Sequence, residues 1–256
     1  MNKENLVNRL KGLKDKGVFE IKAEFEAEGT RINELSLLKD ITASADLPIL
    51  MKTGGVEAIT DMYLAYEGGA SMIVAPMAES AYAVQKFLDC IKIFQDKGIE
   101  GLSYAINVET IGCYNAIDEI LGLKDISLLS GMTVGRVDFA GSLGHDRSFV
   151  NSAEMMGYVE TVFQKCRDKG IGTAVGGGID VNCLDFVKAL IDKGLLDKYE
   201  TRKIVFSPSC VDLGPDFMKE AVTFEYEWLQ FKRAFHLQAA DEDLKRLEMI
   251  KKRLDE

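Results

Sequence analysis

Leu102-Ser-Tyr-Ala-Ile-Asn-Val-Glu109 and Met132-Thr-Val-Gly-Arg-Val-Asp138 are the stretches on which the fold turns. Each is a short apolar run that closes on a carboxylate, and the two acids stand 29 positions apart. That is the length of one strand-helix unit. If the runs are parallel neighbouring strands, Glu109 and Asp138 meet at the edge of the sheet where α/β proteins place their chemistry. Two carboxylates there can hold Mg²⁺ or Mn²⁺, hard ions that take oxygen ligands and keep positions open for water and an anionic substrate.

The same pattern extends in both directions. Short runs rich in Ile, Val and Met alternate with longer segments at helical spacing, which is βα repetition. Strands are expected at 18–24, 47–52, 71–75, 101–109, 131–138, 171–176 and 203–207. Helices are expected at 4–15, 32–45, 56–67, 79–97, 112–122, 151–168 and 180–193. Asp-Lys-Gly recurs at 15–17, 96–98 and 168–170, as helix ends where glycine turns left-handed.

Seven strands are one short of a closed barrel, and the eighth is either absent or hidden in 122–131 or 207–213. The predicted fold is an α/β, TIM-type (β/α) barrel over 1–214 with a C-terminal helical extension over 215–256; an open doubly wound sheet is the rival. The extension reads as a helix pair carrying Phe224, Trp228, Phe231 and Phe235 on one face. Such a stripe must be covered, by the barrel or by another subunit.

A chain of 256 residues suits a single barrel of about 250. The apolar share of 47% implies a large core, and a net charge of −10 opposes a nucleic-acid or anionic-membrane surface. Five scattered cysteines without a C-x-x-C pair read as reduced thiols. The N-terminal residues form no apolar signal sequence, and nowhere do about 18 apolar residues follow one another, so a cytoplasmic protein is expected.

Three motifs in order, Ala75-Pro-Met-Ala-Glu-Ser, Ile106-Asn-Val-Glu-Thr with Asn115-Ala-Ile-Asp-Glu-Ile-Leu, and Gly135-Arg-Val-Asp-Phe-Ala-Gly-Ser-Leu-Gly, resemble the citrate lyase β-subunit and hydroxy-keto-acid aldolase superfamily. The resemblance spans roughly residues 18–180 and points to a divergent member. It implies a TIM barrel in which Glu109 and Asp138 bind Mg²⁺ or a similar ion that chelates a pyruvate-type enolate or keto acid. This sequence departs from the pattern at two places. The usual histidine falls on Phe25 in Ile21-Lys-Ala-Glu-Phe-Glu, and the usual arginine on or beside Lys52 in Ile49-Leu-Met-Lys-Thr-Gly-Gly.

Lys52 therefore offers a point charge where a planar fork is usual. It can bind an anionic group, act as acid or base, or form an imine; otherwise it is a solvated residue entering a turn. Glu20, Lys22 and Glu24 share one strand face. Glu24 is a candidate base or water-mediated contact to the metal, and Lys22 a candidate substrate contact, unless the three form a salt-bridged plug. His145 is either a replacement proton carrier or a surface loop residue. Asn107, Gly135 and Arg136 flank the two acids and are candidate substrate contacts. Gly177 and Gly178, in the Gly176-Gly-Gly run, either cradle an anion or make a tight turn. Glu79 reads as a first-turn helix charge, and His236 as a packing or interface residue.

These residues point to a divalent-metal-dependent carbon–carbon lyase or aldolase acting on a 2-keto or 3-hydroxy acid, in a homo-oligomer. The alternatives are a citrate-lyase-like acyl-CoA lyase and an inactive barrel serving as a scaffold.

Overall fold

The computed structural model describes residues 2–254 as eight strands closed into a barrel, β1-β2-β3-β4-β5-β6-β7-β8, with helices outside. In chain order these are α1 (Lys3–Lys14), β1 (Val18–Glu24), α2 (Ile32–Ser44), β2 (Ile49–Lys52), α3 (Ile59–Glu67), β3 (Ala70–Ala75), α4 (Ala81–Asp96) and β4 (Ser103–Val108). There follow α5 (Ile111–Asn115), α6 (Ile117–Leu121), β5 (Gly131–Gly135), α7 (Arg136–Ser142), α8 (Ala153–Asp168) and β6 (Gly172–Gly176). The last elements are α9 (Leu184–Asp192), β7 (Lys198–Glu200), β8 (Ile204–Phe206) and α10 (Gly214–Leu254).

The barrel is real but not uniformly parallel. Strands β1 to β7 pair in parallel succession, whereas β8 is antiparallel to both β7 and β1. The run expected at 203–207 is this reversed strand. The eighth strand lies in neither segment proposed for it, since 126–128 and Pro208–Leu213 are 3-10 turns. It is Lys-Tyr-Glu at 198–200, too short and too charged to read as a strand. A tight hairpin through 201–203 then returns the chain, with Thr201 N–H donating to Ile204 O at 2.9 Å.

The expected strand 131–138 also overran. It stops at Gly135, and residues 136–138 open α7, so Asp138 sits in a helical first turn. The single helix expected at 112–122 breaks at Ala116 into α5 and α6. The Asp-Lys-Gly endings behave as read: Gly17, Gly98 and Gly170 have φ of 108°, 69° and 69°. Ser80 and Ser152 cap α4 and α8 by accepting from Ala83 and Met155 N–H at 3.1 Å.

Most apolar burial lies between the barrel wall and the helices, where Ile21, Ile73, Ile106, Val134 and Val175 meet Phe87, Phe94, Val159 and Phe163. Inside the barrel a smaller cluster joins Leu50, Val74, Ala105 and Val205. Tyr199, fully buried, stacks on Phe206 at 4.8 Å, but its hydroxyl has no partner. Removing an unpaired buried polar group relieves a desolvation penalty. Tyr199→Phe is therefore expected to leave stability unchanged or raise it by about 1 kcal/mol in urea denaturation; a loss of stability would show that the hydroxyl is paired.

Residues 214–254 form one continuous helix of 41 residues, not the helix pair expected. Phe224 and Trp228 are buried within the chain itself, whereas Phe231 and Phe235 farther along the stripe are half-buried. Arg9 forks onto Glu227, with one arm at 2.6 Å, and Lys16 meets Glu220 at 2.5 Å; both fasten α10 along α1. Farther on, Lys232 and His236 reach Glu34 at the start of α2, at 3.5 and 2.7 Å.

Candidate active site at the barrel mouth

Strands β4 and β5 pair in parallel, Asn107 opposite Thr133 and Val108 opposite Val134. Glu109, one residue beyond β4, is thereby set against the β5–α7 junction that carries Asp138. A Cβ on Gly135 would lie 2.8 Å from the Oε2 of Glu109 and 3.0 Å from its Cβ. Glycine is required there because the glutamate fills the space a side chain would take. Gly176 plays the same part for Glu200, whose Cγ and Oε1 would stand 3.2 and 3.3 Å from an added Cβ.

Glu109 is 2% exposed. Its Oε1 accepts from Met77 N–H at 2.9 Å and its Oε2 from Asn107 Nδ2 at 3.0 Å, while Lys52 Nζ stands 3.8 Å from Oε2. Burial nevertheless pushes its pKa above the ordinary range; Lys52, Met77 N–H and Asn107 pull the other way, and Asp138 adds to the rise. Met77 holds φ at 49°, a left-handed conformation uncommon outside glycine. Strain of this kind persists where the surroundings fix it, and here it aims an N–H at the carboxylate. Asn107 Oδ1 is buried without a hydrogen-bond partner.

Lys52 is held between Glu26, at 2.6 Å, and Glu109. Lys22 lies between Glu200, at 2.7 Å, and Glu24, at 3.3 Å, and lower in the barrel Lys198 pairs with Glu20 at 2.8 Å. The plug anticipated from Glu20, Lys22 and Glu24 thus exists, although Glu20 takes its partner from β7. Burial raises Glu24, but Lys22, Lys52 and Arg202 outweigh it and hold its carboxyl below the ordinary value. A carboxylate held by three cations in this way is a weaker base than a free one.

Three further candidates have defined surroundings. Arg136 is fully buried: it donates Nε to Gly176 O at 3.2 Å, and Nη1 to Val150 O at 3.0 Å and Asn151 Oδ1 at 2.8 Å, while its Nη2 has no hydrogen-bond partner. It ties the turn at Arg147–Asn151 to the end of β6. His145 is exposed and stacks on Phe149 at 4.1 Å, as a surface loop residue does. Gly177 and Gly178 have φ of 70° and 72°, and a Cβ on Gly177 would fall 2.6 Å from Arg136 N. The glycines let β6 approach the start of α7, which is a packing role. Asp138 is exposed on that same turn.

Glu26, Glu200 and the Met77 N–H were not foreseen as parts of this network. Glu26 continues the parity of Glu20, Lys22 and Glu24 past the strand end, the signal by which it was findable. Glu200 was hidden with β7. No sequence pattern announces a backbone N–H.

A groove of about 370 Å³ lined by Asp180, Val181, Met218, Lys219, Val222 and Tyr226 runs beside α10, away from Glu109. It is apolar and holds no cluster of reactive groups. Among the described residues no group of three or more His, Cys, Asp or Glu side chains is gathered for a metal, and all five cysteines are free and buried. No described helix is long and apolar enough to cross a membrane.

No protein-family model and no curated protein matches the sequence significantly. Solved structures do match in fold. The chain is similar to a HpcH/HpaI aldolase/citrate lyase family protein from Burkholderia cenocepacia J2315, with TM-score 0.63 and 14% identity over 89% of this chain and 90% of that one. It is also similar to citrate synthase SbnG, with TM-score 0.60 and 16% identity over 92% and 90%. A malate synthase from Haloferax volcanii, solved as a magnesium/glyoxylate complex, aligns with TM-score 0.57 and 15% identity over 74% and 63%. At these identities the likeness is one of fold, a closed α/β barrel.

Proposed function

We propose that this barrel is a carbon–carbon lyase or aldolase acting on a small 2-keto or 3-hydroxy acid with the help of Mg²⁺ or Mn²⁺. The observation that carries the reading is Glu109: a carboxylate buried at the barrel mouth, with its pKa raised by burial, beside the turn that carries Asp138. A buried carboxylate of that kind gains from a cation. The donor set is all oxygen, Glu109 and Asp138 with the unpartnered Oδ1 of Asn107, and fits a hard divalent ion. When bound, the ion supplies positive charge for the oxygen anion that develops beside a carbonyl during carbon–carbon cleavage. The fold likeness to aldolase and lyase structures supports the same reading.

The chain's own residues divide the remaining work. Lys52 receives the substrate's carboxylate, its charge already oriented by Glu26. Glu24 and Glu26, the carboxylates at the end of β1 beside Lys52, are the candidate acceptors of the proton that a histidine would otherwise take. Lys22, Glu24 and Glu200, with Arg202 reaching Glu24 at 3.6 Å, form a charge-paired floor that fixes the depth of the site. Asn107 and Met77 N–H hold the Glu109 carboxylate in one orientation.

The test is thermal melting with Mg²⁺ or Mn²⁺, alone and with oxalate, alongside deuterium exchange into the methyl group of pyruvate. A ligand at about 100 times its Kd stabilises by about 2.7 kcal/mol. A metal-dependent shift enlarged by oxalate, together with exchange, is the expected result. If neither appears, the engagement of Lys52 and Lys22 by carboxylates favours the second reading, a barrel without catalysis that serves as a binding subunit.

A further inference from the structure

Residues 237–254 of α10 are all exposed, and they are amphipathic. Leu244, Leu247, Ile250 and Leu254 are 55%, 63%, 41% and 80% exposed, a density of uncovered apolar side chains unusual on one helix. With Ala240 they occupy positions −7, −3, +3 and +7 about Leu247, and they form one stripe. The charges share that centre. Asp241-Glu242-Asp243 precede Leu247 and Lys251-Lys252-Arg253 follow it, with Glu242 and Lys252 each five residues away. At about 1.5 Å per residue the two blocks lie roughly 7.5 Å to either side.

We infer that this helix pairs with the same helix of a second copy, antiparallel and crossing at Leu247. In that arrangement the two stripes face each other. The acidic block of each copy comes level with the basic block of the other, at both ends of the contact. A parallel pair would set acid on acid and base on base, so the charge order selects direction. The interface is isologous and closes on itself, since one patch meets its own copy about a two-fold axis. Both copies remain free to bury Phe224 and Trp228 on their own barrels, because the contact uses only the segment beyond the Glu34 anchor. A stripe this short falls at the small end of specific interfaces, about 1,000 Å² in all, and implies association in the micromolar range.

Two charge variants of the full chain test the pairing by sedimentation at micromolar concentrations: Asp241→Lys with Glu242→Lys and Asp243→Lys, and Lys251→Glu with Lys252→Glu and Arg253→Glu. Each alone is expected to self-associate about 100-fold more weakly, as like charges are forced together. Mixed in equal amounts, the two are expected to recover a dimer of one chain each. Leu247→Cys, exposed while the five native thiols are buried, is expected to give a disulfide-linked dimer on mild oxidation. Circular dichroism and melting of the barrel check that each variant is folded. The proposal is overturned if the native chain stays monomeric, if the charge variants associate as the native chain does, or if vesicles rather than a second copy take up the helix.

Discussion

Lys22→Met is expected to lower stability by about 3–5 kcal/mol at neutral pH, the scale seen when one partner of a buried ion pair is removed. Lys22 touches Glu200 at 2.7 Å and Glu24 at 3.3 Å in a space with little water. Methionine fills much of the lysine stem's volume, so the loss comes chiefly from Glu200, left without its lysine, and from Glu24, left to Arg202 and Lys52 alone. The pH dependence separates this from simple mispacking. Burial pulls Lys22 down, but Glu200 and Glu24 hold its pKa above the ordinary 10.5; its contribution is therefore complete below that value and fades only as pH rises past it. Glu24 lies below its ordinary 4.5, so its contribution is in place above that pH and is lost as pH falls through the folded-state value. Without Lys22 the Glu24 carboxylate takes up a proton more readily in the folded state. The deficit should therefore be largest near neutrality and shrink towards pH 4.5, in urea titrations of both proteins. A deficit independent of pH would mean that the lysine's methylenes, and not its charge, matter.

Glu109→Gln should divide activity from stability. Under the proposed reading it removes a metal ligand and costs turnover at least about 100-fold. The metal-free protein, by contrast, should melt higher. The pKa of Glu109 is raised by burial, which means that the folded state disfavours the ionised acid and loses stability as pH climbs above about 4.5. A neutral isostere keeps the shape and the Met77 contact, removes that cost, and leaves Lys52 its pair with Glu26. Active sites commonly trade stability for charge placement in this way. The measurement is the melting temperature with and without Mg²⁺, read beside the rate. A variant that melts lower and still responds to metal would remove Glu109 from the metal site.

What could be read in advance followed the chemistry of burial. Strands β2 to β4 and β6 are apolar on the side that meets the helices, and a run such as Ile-Val-Ala at 73–75 is unambiguous. The pairing of β4 with β5, and with it the approach of Glu109 to the turn bearing Asp138, followed from their spacing. Strand β7 did not show because both of its inward residues, Lys198 and Glu200, are charged: burial inside this barrel is satisfied by ion pairs, and a hydrophobic pattern cannot report them. Val137 carried the expected strand too far, since an apolar residue in a helix's first turn looks the same as one at a strand end. The partners of Arg136 were not legible because sequence gives position along the chain but not the direction of a long side chain, which here turns to carbonyls of β6 and the turn before α8. The direction of β8 had no local signal either, as 201–203 lacks the glycine or asparagine that marks a hairpin.

That reversed strand also governs where this architecture can vary. Each forward strand hands the chain to a connection that rises over the carboxylate-bearing rim, and any of those connections can lengthen into a cover or a specificity loop. Between β7 and β8 the rim has only the residues 201–203, held by Thr201 to Ile204, and Arg202 there reaches Glu24 at 3.6 Å. An insertion in that sector would unpick the hairpin that closes the sheet. New substrate preferences must therefore arise elsewhere around the circumference, and this flank stays a low, fixed sill.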